Sequence, residues 1–273
     1  MALRSALINV MAAAVQKAAR GLKRDFGEVE HLQVSKKGPA DFVSAADIKA
    51  EKVLKTELEK ARSGYGFLME ESGETKGTDP LGRWIIDPLD GTTNFLHGIP
   101  HFAISIGLEY RDEIVAGMIY APITDELFWA EKGRGAFLND RRLRVSARSR
   151  LADAVVTTGI PHTGRGDPTA YMREMRVVMD QVAGVRRFGA ASLDLAWVAA
   201  GRCDAYWESG LSPWDIAAGL LIVKEAGGYV TDLDGGTDML ATGGLVAAND
   251  QLHAPMLKLL QPARRLPRAG AAG

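Results

Sequence analysis

The chain has 273 residues, 47% of them hydrophobic and 25% charged, the composition of a globular protein in water with room for one large domain or two smaller ones around a substantial core. Its formal net charge of −1 gives no global attraction to nucleic acid or to an anionic membrane. Cys203 is the only cysteine, which excludes an intrachain disulfide and a cysteine-based metal cluster and fits a reducing, cytoplasmic location.

Arg4 followed by Leu7, Ile8, Val10 and Met11 has features of a signal peptide. Against that, Leu3, Leu7, Val10, Met11, Ala14, Val15 and Ala18 fall at helical spacing, and the segment reads as an amphipathic packing helix. No apolar run approaches the roughly 20 residues of a membrane span. Residues 36–39 read as a loop, and Ser44 with Asp47 reads as a capping box that opens a helix to about Arg62, with Ile48, Val53, Leu54 and Leu58 as its apolar stripe.

Residues 66–70 and 83–87 read as strands separated by a polar loop containing Glu74, Lys76 and Asp79, so that acidic groups end two consecutive strands. Residues 102–109 and 114–120 are β-rich runs joined by a short turn, and residues 127–131 extend the antiparallel pattern. From about Ala152 short strands and helices alternate: residues 155–158, 171–182, 193–200, 204–208 and 214–226. No Gly-, Ser- or Pro-rich linker separates the halves, which predicts two subdomains, 1–148 and 149–273, packed as one unit. Residues 262–273 read as a frayed tail.

The most informative stretch is Trp84 to Phe95, which sets Asp87, Asp90, Gly91, Thr92 and Thr93 directly after an apolar strand. Pro88 cannot continue a central strand, so the chain should leave the sheet near Asp87 and project both carboxylates from an irregular turn. Carboxylate oxygens suit a hard cation such as Mg2+, which recruits substrate phosphate, better than they suit zinc. Gly91 permits close backbone approach, and Thr92 and Thr93 can open a short helix whose free N–H groups favour an anion. Asp-Pro and Asp-Gly are also ordinary turn dipeptides, Glu70 and Glu71 also suit a solvated strand end, and Asp215 after Ser212-Pro213-Trp214 also suits a helix start. Together Glu70, Asp87, Asp90 and Asp215 make the acidic set used for two-metal phosphoryl hydrolysis.

These residues resemble the inositol monophosphatase family, which carries an acidic residue after a β-strand, a D-P-x-D-G-T-x-N turn and a W-D-x-A-A-G helix start. The corresponding segments here are Glu70-Glu71-Ser72, residues 87–94 and residues 214–219, in the family's order, within a resemblance that runs from Asp41 to Gly228. It implies an α+β fold, a layered α-β-α-β-α sandwich. It also implies Mg2+-dependent hydrolysis of a small phosphorylated polyol, inositol 1-phosphate above all, by direct attack of water with inversion at phosphorus.

By the same resemblance two or three Mg2+ ions bind. Glu70, Asp87 and the Leu89 carbonyl hold one, Asp87, Asp90 and Asp215 a second, and Asp47 assists a third through water. Thr92 and Glu70 orient and deprotonate the attacking water, Gly91 and Thr92 offer backbone donors to phosphate, and Lys36 helps to retain it. Glu208 accepts hydrogen bonds from the polyol, and Gly189 and Ala191 belong to a small-residue turn that lets the sugar ring approach; residues 157–163 align less clearly.

The family further implies lithium sensitivity and a homodimer. Histidinol phosphate, fructose 1,6-bisphosphate and 3′-phosphoadenosine nucleotides stay open as substrates, as does a regulatory role binding RNA or polymerase. The run Arg141, Arg142, Arg144, Arg148 and Arg150 lacks interleaved aromatics and reads as a solvated hairpin rather than an RNA surface. His97 and His101 read as structural, and Cys203 as a buried thiol.

Overall fold

A computed structural model describes residues 4–28, 34–36, 42–161 and 166–265, with side chains for 4–28, 45–161 and 166–264. Helix α1 (Ala6–Phe26) is followed by the antiparallel pair β1 (Val34–Lys36) and β2 (Phe42–Ser44), and by α2 (Ala45–Ala61). Then come β3 (Gly66–Met69), β4 (Gly73–Thr75), β5 (Gly82–Asp90), α3 (Thr92–Leu96), β6 (Ala103–Tyr110), β7 (Glu113–Ala121), β8 (Glu126–Glu131), β9 (Gly135–Leu138) and β10 (Arg141–Arg142). The strands from β3 onward form one sheet in the order β10-β9-β8-β7-β6-β5-β3-β4, antiparallel except where β3 meets β5.

The second half contains β11 (Val155–Thr158), α4 (Pro168–Met179), β12 (Gly184–Arg186), α5 (Ala191–Ala199), β13 (Ala205–Ser209), α6 (Pro213–Glu225), β14 (Tyr229–Thr231), α7 (Met239–Thr242), β15 (Gly244–Ala248) and α8 (Asp250–Arg265). Its five strands lie in the order β12-β11-β13-β15-β14.

Side-chain alternation along the strands builds the layers. Ile104, Ile106, Met118 and Tyr120 face α1 and α2, whereas Ala103, Ile119 and Ala121 face α5 and α6 on the other side of the large sheet. In the smaller sheet Tyr206 and Ala247 face α5 and α6, and Trp207, Val246 and Ala248 face α4 and α8. The stack is therefore α-β-α-β-α, the layered mixed α/β sandwich that the family resemblance implies.

Several elements differ from the sequence-based expectations. Lys36 closes β1, paired to Phe42, instead of opening a loop. Ile48 is exposed because the buried line of α2 runs Ala46, Ala50, Leu54 and Leu58, four residues apart. The polar loop after β3 contains β4, which pairs with it antiparallel. Helix α4 starts at Pro168 because Asp167 caps it, its carboxylate accepting from the Thr169 and Ala170 amides at 2.9 and 3.1 Å. Pro262 belongs to α8 rather than to a frayed tail: Leu252, Met256, Leu260 and Ala263 anchor that helix in the core, and the ring removes only one backbone bond. Residues 266–273 lie outside the described part.

Helix α6 approaches the large sheet over a pair of glycines. Gly107 and Gly117 are directly opposed in β6 and β7, and a Cβ at 117 would lie 2.6 Å from the Ala218 carbonyl oxygen. Close packing here sets how near the α6 N-terminus comes to the end of β5. Gly117→Ala should lower stability by about 1–3 kcal/mol through overpacking, read as a lower urea midpoint with an unchanged slope.

Candidate active site

Strand β5 does not simply end at Pro88. Its pairing with β6 holds to Asp87, slips through a bulge, and resumes at Asp90 opposite Ala103. The bulge accommodates a residue with no N–H to donate, and it turns Asp87 and Asp90 out of the regular ladder while keeping both buried. An Asp87 carboxylate oxygen accepts from the Leu89 amide at 2.9 Å, which closes the turn. Gly91 follows with φ 91°, and a Cβ there would lie 3.0 Å from the His101 carbonyl oxygen, so both conformation and space require glycine. Thr92 opens α3 and donates its hydroxyl to the Leu89 carbonyl at 2.9 Å, with Asp47 at 3.4 Å.

The remaining groups come from elsewhere in the fold. Glu70 follows β3, its amide donating to the Ile86 carbonyl at 3.3 Å, which sets it beside the end of β5. Asp215 lies in the first turn of α6, where its carboxylate accepts from the Ser212 amide at 2.7 Å. Asp90 accepts from the Ser192 amide and hydroxyl at 2.7 and 2.5 Å, at the N-terminal turn of α5. Glu208, on β13, accepts from the Tyr206 hydroxyl at 2.6 Å.

Glu70, Asp87, Leu89, Asp90, Gly91, Thr92, Gly189, Ala191, Glu208 and Asp215 line one cavity of about 140 Å³. Asp47 stands behind Thr92, and Asp47, Glu70 and Glu71 bring carboxylate oxygens within 4.8 Å of one another. The side chain of Lys36 lies outside the described part, as do His162 and Thr163 of the less clearly aligned segment; Gly159 and Ile160 of that segment do line the cavity.

Sequence reading missed Arg187, the sole cation among the described lining residues. It also missed Ser192 as the partner of Asp90, and Tyr206. Arg187 sits in an unremarkable Arg-Arg pair, and no local pattern ties Ser192 to a carboxylate 102 residues away.

Burial pushes Asp87 well above the ordinary carboxylate range, and the charges of Glu70, Asp90, Asp215 and Asp47 push it further. Asp90 is pushed up to about 7 by burial, against the two bonds from Ser192 and with Glu70 and Glu208 adding repulsion. Crowded, buried carboxylates of this kind fit a hard divalent cation, which replaces mutual repulsion by attraction. The donor set is all oxygen.

The residues assigned no chemistry are occupied structurally. His97 contacts the Thr93 carbonyl at 2.8 Å, and His101 packs against Phe188 and Trp197. Cys203 is buried, its thiol pushed up to about 12 chiefly by burial. Arg148 and Arg150 are engaged by Asp204 and Asp153, and no helix among the described residues is long and apolar enough to cross a membrane.

The model of the inositol monophosphatase family matches residues 3–265. The inositol-1-monophosphatase of Mesorhizobium japonicum is 60% identical over 258 residues, 94% of this chain and 97% of that protein. The crystal structure of the extragenic suppressor protein suhB from Bartonella henselae superposes with a TM-score of 0.92 at 58% identity, covering 94% of this chain and 99% of that one. A Nus factor SuhB, from Pseudomonas aeruginosa, is 42% identical over 260 residues, 94% of this chain and 96% of its own. With this match in sequence and fold, the chain belongs to the inositol monophosphatase family and is a phosphatase.

Proposed function

We propose that the chain hydrolyses myo-inositol 1-phosphate, or a closely similar polyol phosphomonoester, with Mg2+. The observation that carries this is the convergence of Glu70, Asp87, Asp90, Asp215 and Thr92 on one cavity whose lining also includes Glu208. Glu70, Asp87, the Leu89 carbonyl, Asp90 and Asp215 would hold two ions between them; Asp47 and Glu71 would assist a third, weaker ion. Bound there, Mg2+ would lower the pKa of water and offset charge on the leaving oxygen.

The protein's own residues do the remainder. The Thr92 hydroxyl, donating to the Leu89 carbonyl, would orient the attacking water, whose proton Glu70 accepts; the water oxygen bonds to phosphorus as the P–O bond to the alcohol breaks, and the leaving oxygen takes a proton from solvent. The backbone at Gly91 and Thr92 receives the phosphate, with Lys36 helping to retain it. Gly189 and Ala191 present no bulk, so the ring comes close to the chain, and Glu208 accepts from its hydroxyls.

The test is phosphate release from a panel of inositol, histidinol, fructose and adenosine phosphates. Release should be fastest from inositol 1-phosphate with Mg2+, vanish in EDTA and fall in millimolar lithium. Equal release with and without chelator would remove the metal reading; selective release from another ester would move the substrate. We propose a cytoplasmic homodimer acting on a small molecule, the dimer to be checked by light scattering; pairing of Arg148 and Arg150 with carboxylates weighs against an RNA surface.

A further inference from the structure

Glu208 divides two spaces. On one side is the substrate cavity; on the other is a smaller cavity of about 40 Å³ lined by Ile160, Tyr171, Glu174, Trp207 and Leu211. Strand alternation puts the Glu208 side chain on the face of Tyr206, opposite Trp207, but its further torsions leave the direction of the carboxylate open, and the group borders both cavities.

Two neighbours bear directly on that direction. Tyr206 is two residues earlier on β13 and so on the same face of the strand, fully buried between the sheet and helices α5 and α6. Its hydroxyl donates to one Glu208 oxygen at 2.6 Å. Burial, with the charges of Glu208 and Asp194 beside it, pushes the phenol well above its ordinary range, so it stays a donor.

The second neighbour is Gly159. A Cβ there would lie 1.9 and 2.2 Å from the two Glu208 carboxylate oxygens, a distance no atoms tolerate. Its φ is not in the left-handed region, so the backbone makes no demand for glycine at 159. The demand comes from the carboxylate, which occupies the volume a side chain would take.

We propose that Tyr206 and Gly159 are specificity-determining positioning residues, which hold the Glu208 carboxylate at the substrate cavity so that it can accept from the hydroxyls of a polyol phosphoester. A carboxylate has about four lone-pair sites, so one bond from Tyr206 orients it without exhausting its capacity. Without that bond the carboxylate can turn toward the smaller cavity. The inference deepens the polyol-phosphatase reading and rests on it.

The test compares wild type, Tyr206→Phe, Gly159→Ala, Glu208→Gln and the double variant Tyr206→Phe/Glu208→Gln, with Mg2+, on inositol 1-phosphate and on phenyl phosphate, which has no polyol hydroxyls. Tyr206→Phe removes one oxygen atom and leaves the packing intact. It should raise KM for inositol 1-phosphate about tenfold, the scale of one hydrogen bond to a charged group, with kcat unchanged and phenyl phosphate hydrolysed as by wild type. In the Glu208→Gln background the same substitution should add nothing.

Gly159→Ala, which displaces the carboxylate, should raise the same KM. Loss of activity on both substrates alike, or an undiminished effect of Tyr206→Phe in the Glu208→Gln background, would overturn the positioning role while leaving the substrate reading intact. A wild-type protein that ignored inositol 1-phosphate would instead overturn the substrate reading, and this inference with it.

Discussion

Asp90→Asn should reduce Mg2+-dependent phosphate release by a hundredfold or more, since disturbing even the outer partners of a metal ligand lowers affinity or activity by about 10–100-fold. The side chain keeps its size and can still accept the two bonds from Ser192; what it loses is the charge that the proposed metal would need. Loss of activity without loss of fold is therefore the expected pair of results. In the metal-free protein at pH 8 the variant should melt no lower than wild type, because it removes a charge from a buried group already crowded by Glu70 and Glu208. Ser192→Ala, which takes away one of the two bonds to Asp90, should lower turnover by a smaller factor, of about ten. Full activity in Asp90→Asn would show that the metal assignment is wrong; an unfolded variant would show that Asp90 serves the core instead.

The second large effect is the response of the metal-free protein to pH. Asp87 and Asp90 are both raised in the fold, Asp90 to about 7 from an ordinary value of 3.8. Between those values the folded chain holds protons that the unfolded chain has released, so stability falls as pH rises, and the loss is complete above about 7 for Asp90. Mg2+ bound at the proposed site would displace the same protons. Its apparent affinity should therefore climb by about tenfold per pH unit below 7, for each proton released on binding, and level off above. In thermal melts, metal-free protein should soften from pH 5 to pH 8, and the gain in midpoint on adding Mg2+ should be larger at pH 8 than at pH 6. A gain independent of pH would mean that the carboxylates are already ionised without metal.

Local chemistry was legible wherever neighbouring residues in the chain are also neighbours in space. Asp87, Leu89, Asp90, Gly91 and Thr92 lie within six positions, and the turn that joins them follows from proline, glycine and hydroxyl preferences. The bulge in β5 was not legible in detail, because whether pairing resumes beyond Pro88 depends on what β6 offers opposite Asp90. Helix α8 carries Pro255 and Pro262 within it; local propensity argues against such a helix, and burial of Leu252, Met256 and Leu260 overrides it. Ile48 fails in the other direction, since an apolar residue at plausible spacing is turned to solvent by the line of alanines and leucines that fits against α1 and the sheet.

From sequence alone come the acidic set, the oxygen-only chemistry, the strand-turn-helix that carries Asp87 to Thr92 and the order of most elements as far as α6, because each is written in short-range pattern and backbone preference. Tertiary structure alone brings Ser192 to Asp90 across 102 residues, seats Ala217 and Ala218 on the Gly107–Gly117 pair, and sets Gly159 against Glu208. Those contacts join segments whose separation is fixed by sheet register and helix packing, and neither quantity has a period that a single chain can display.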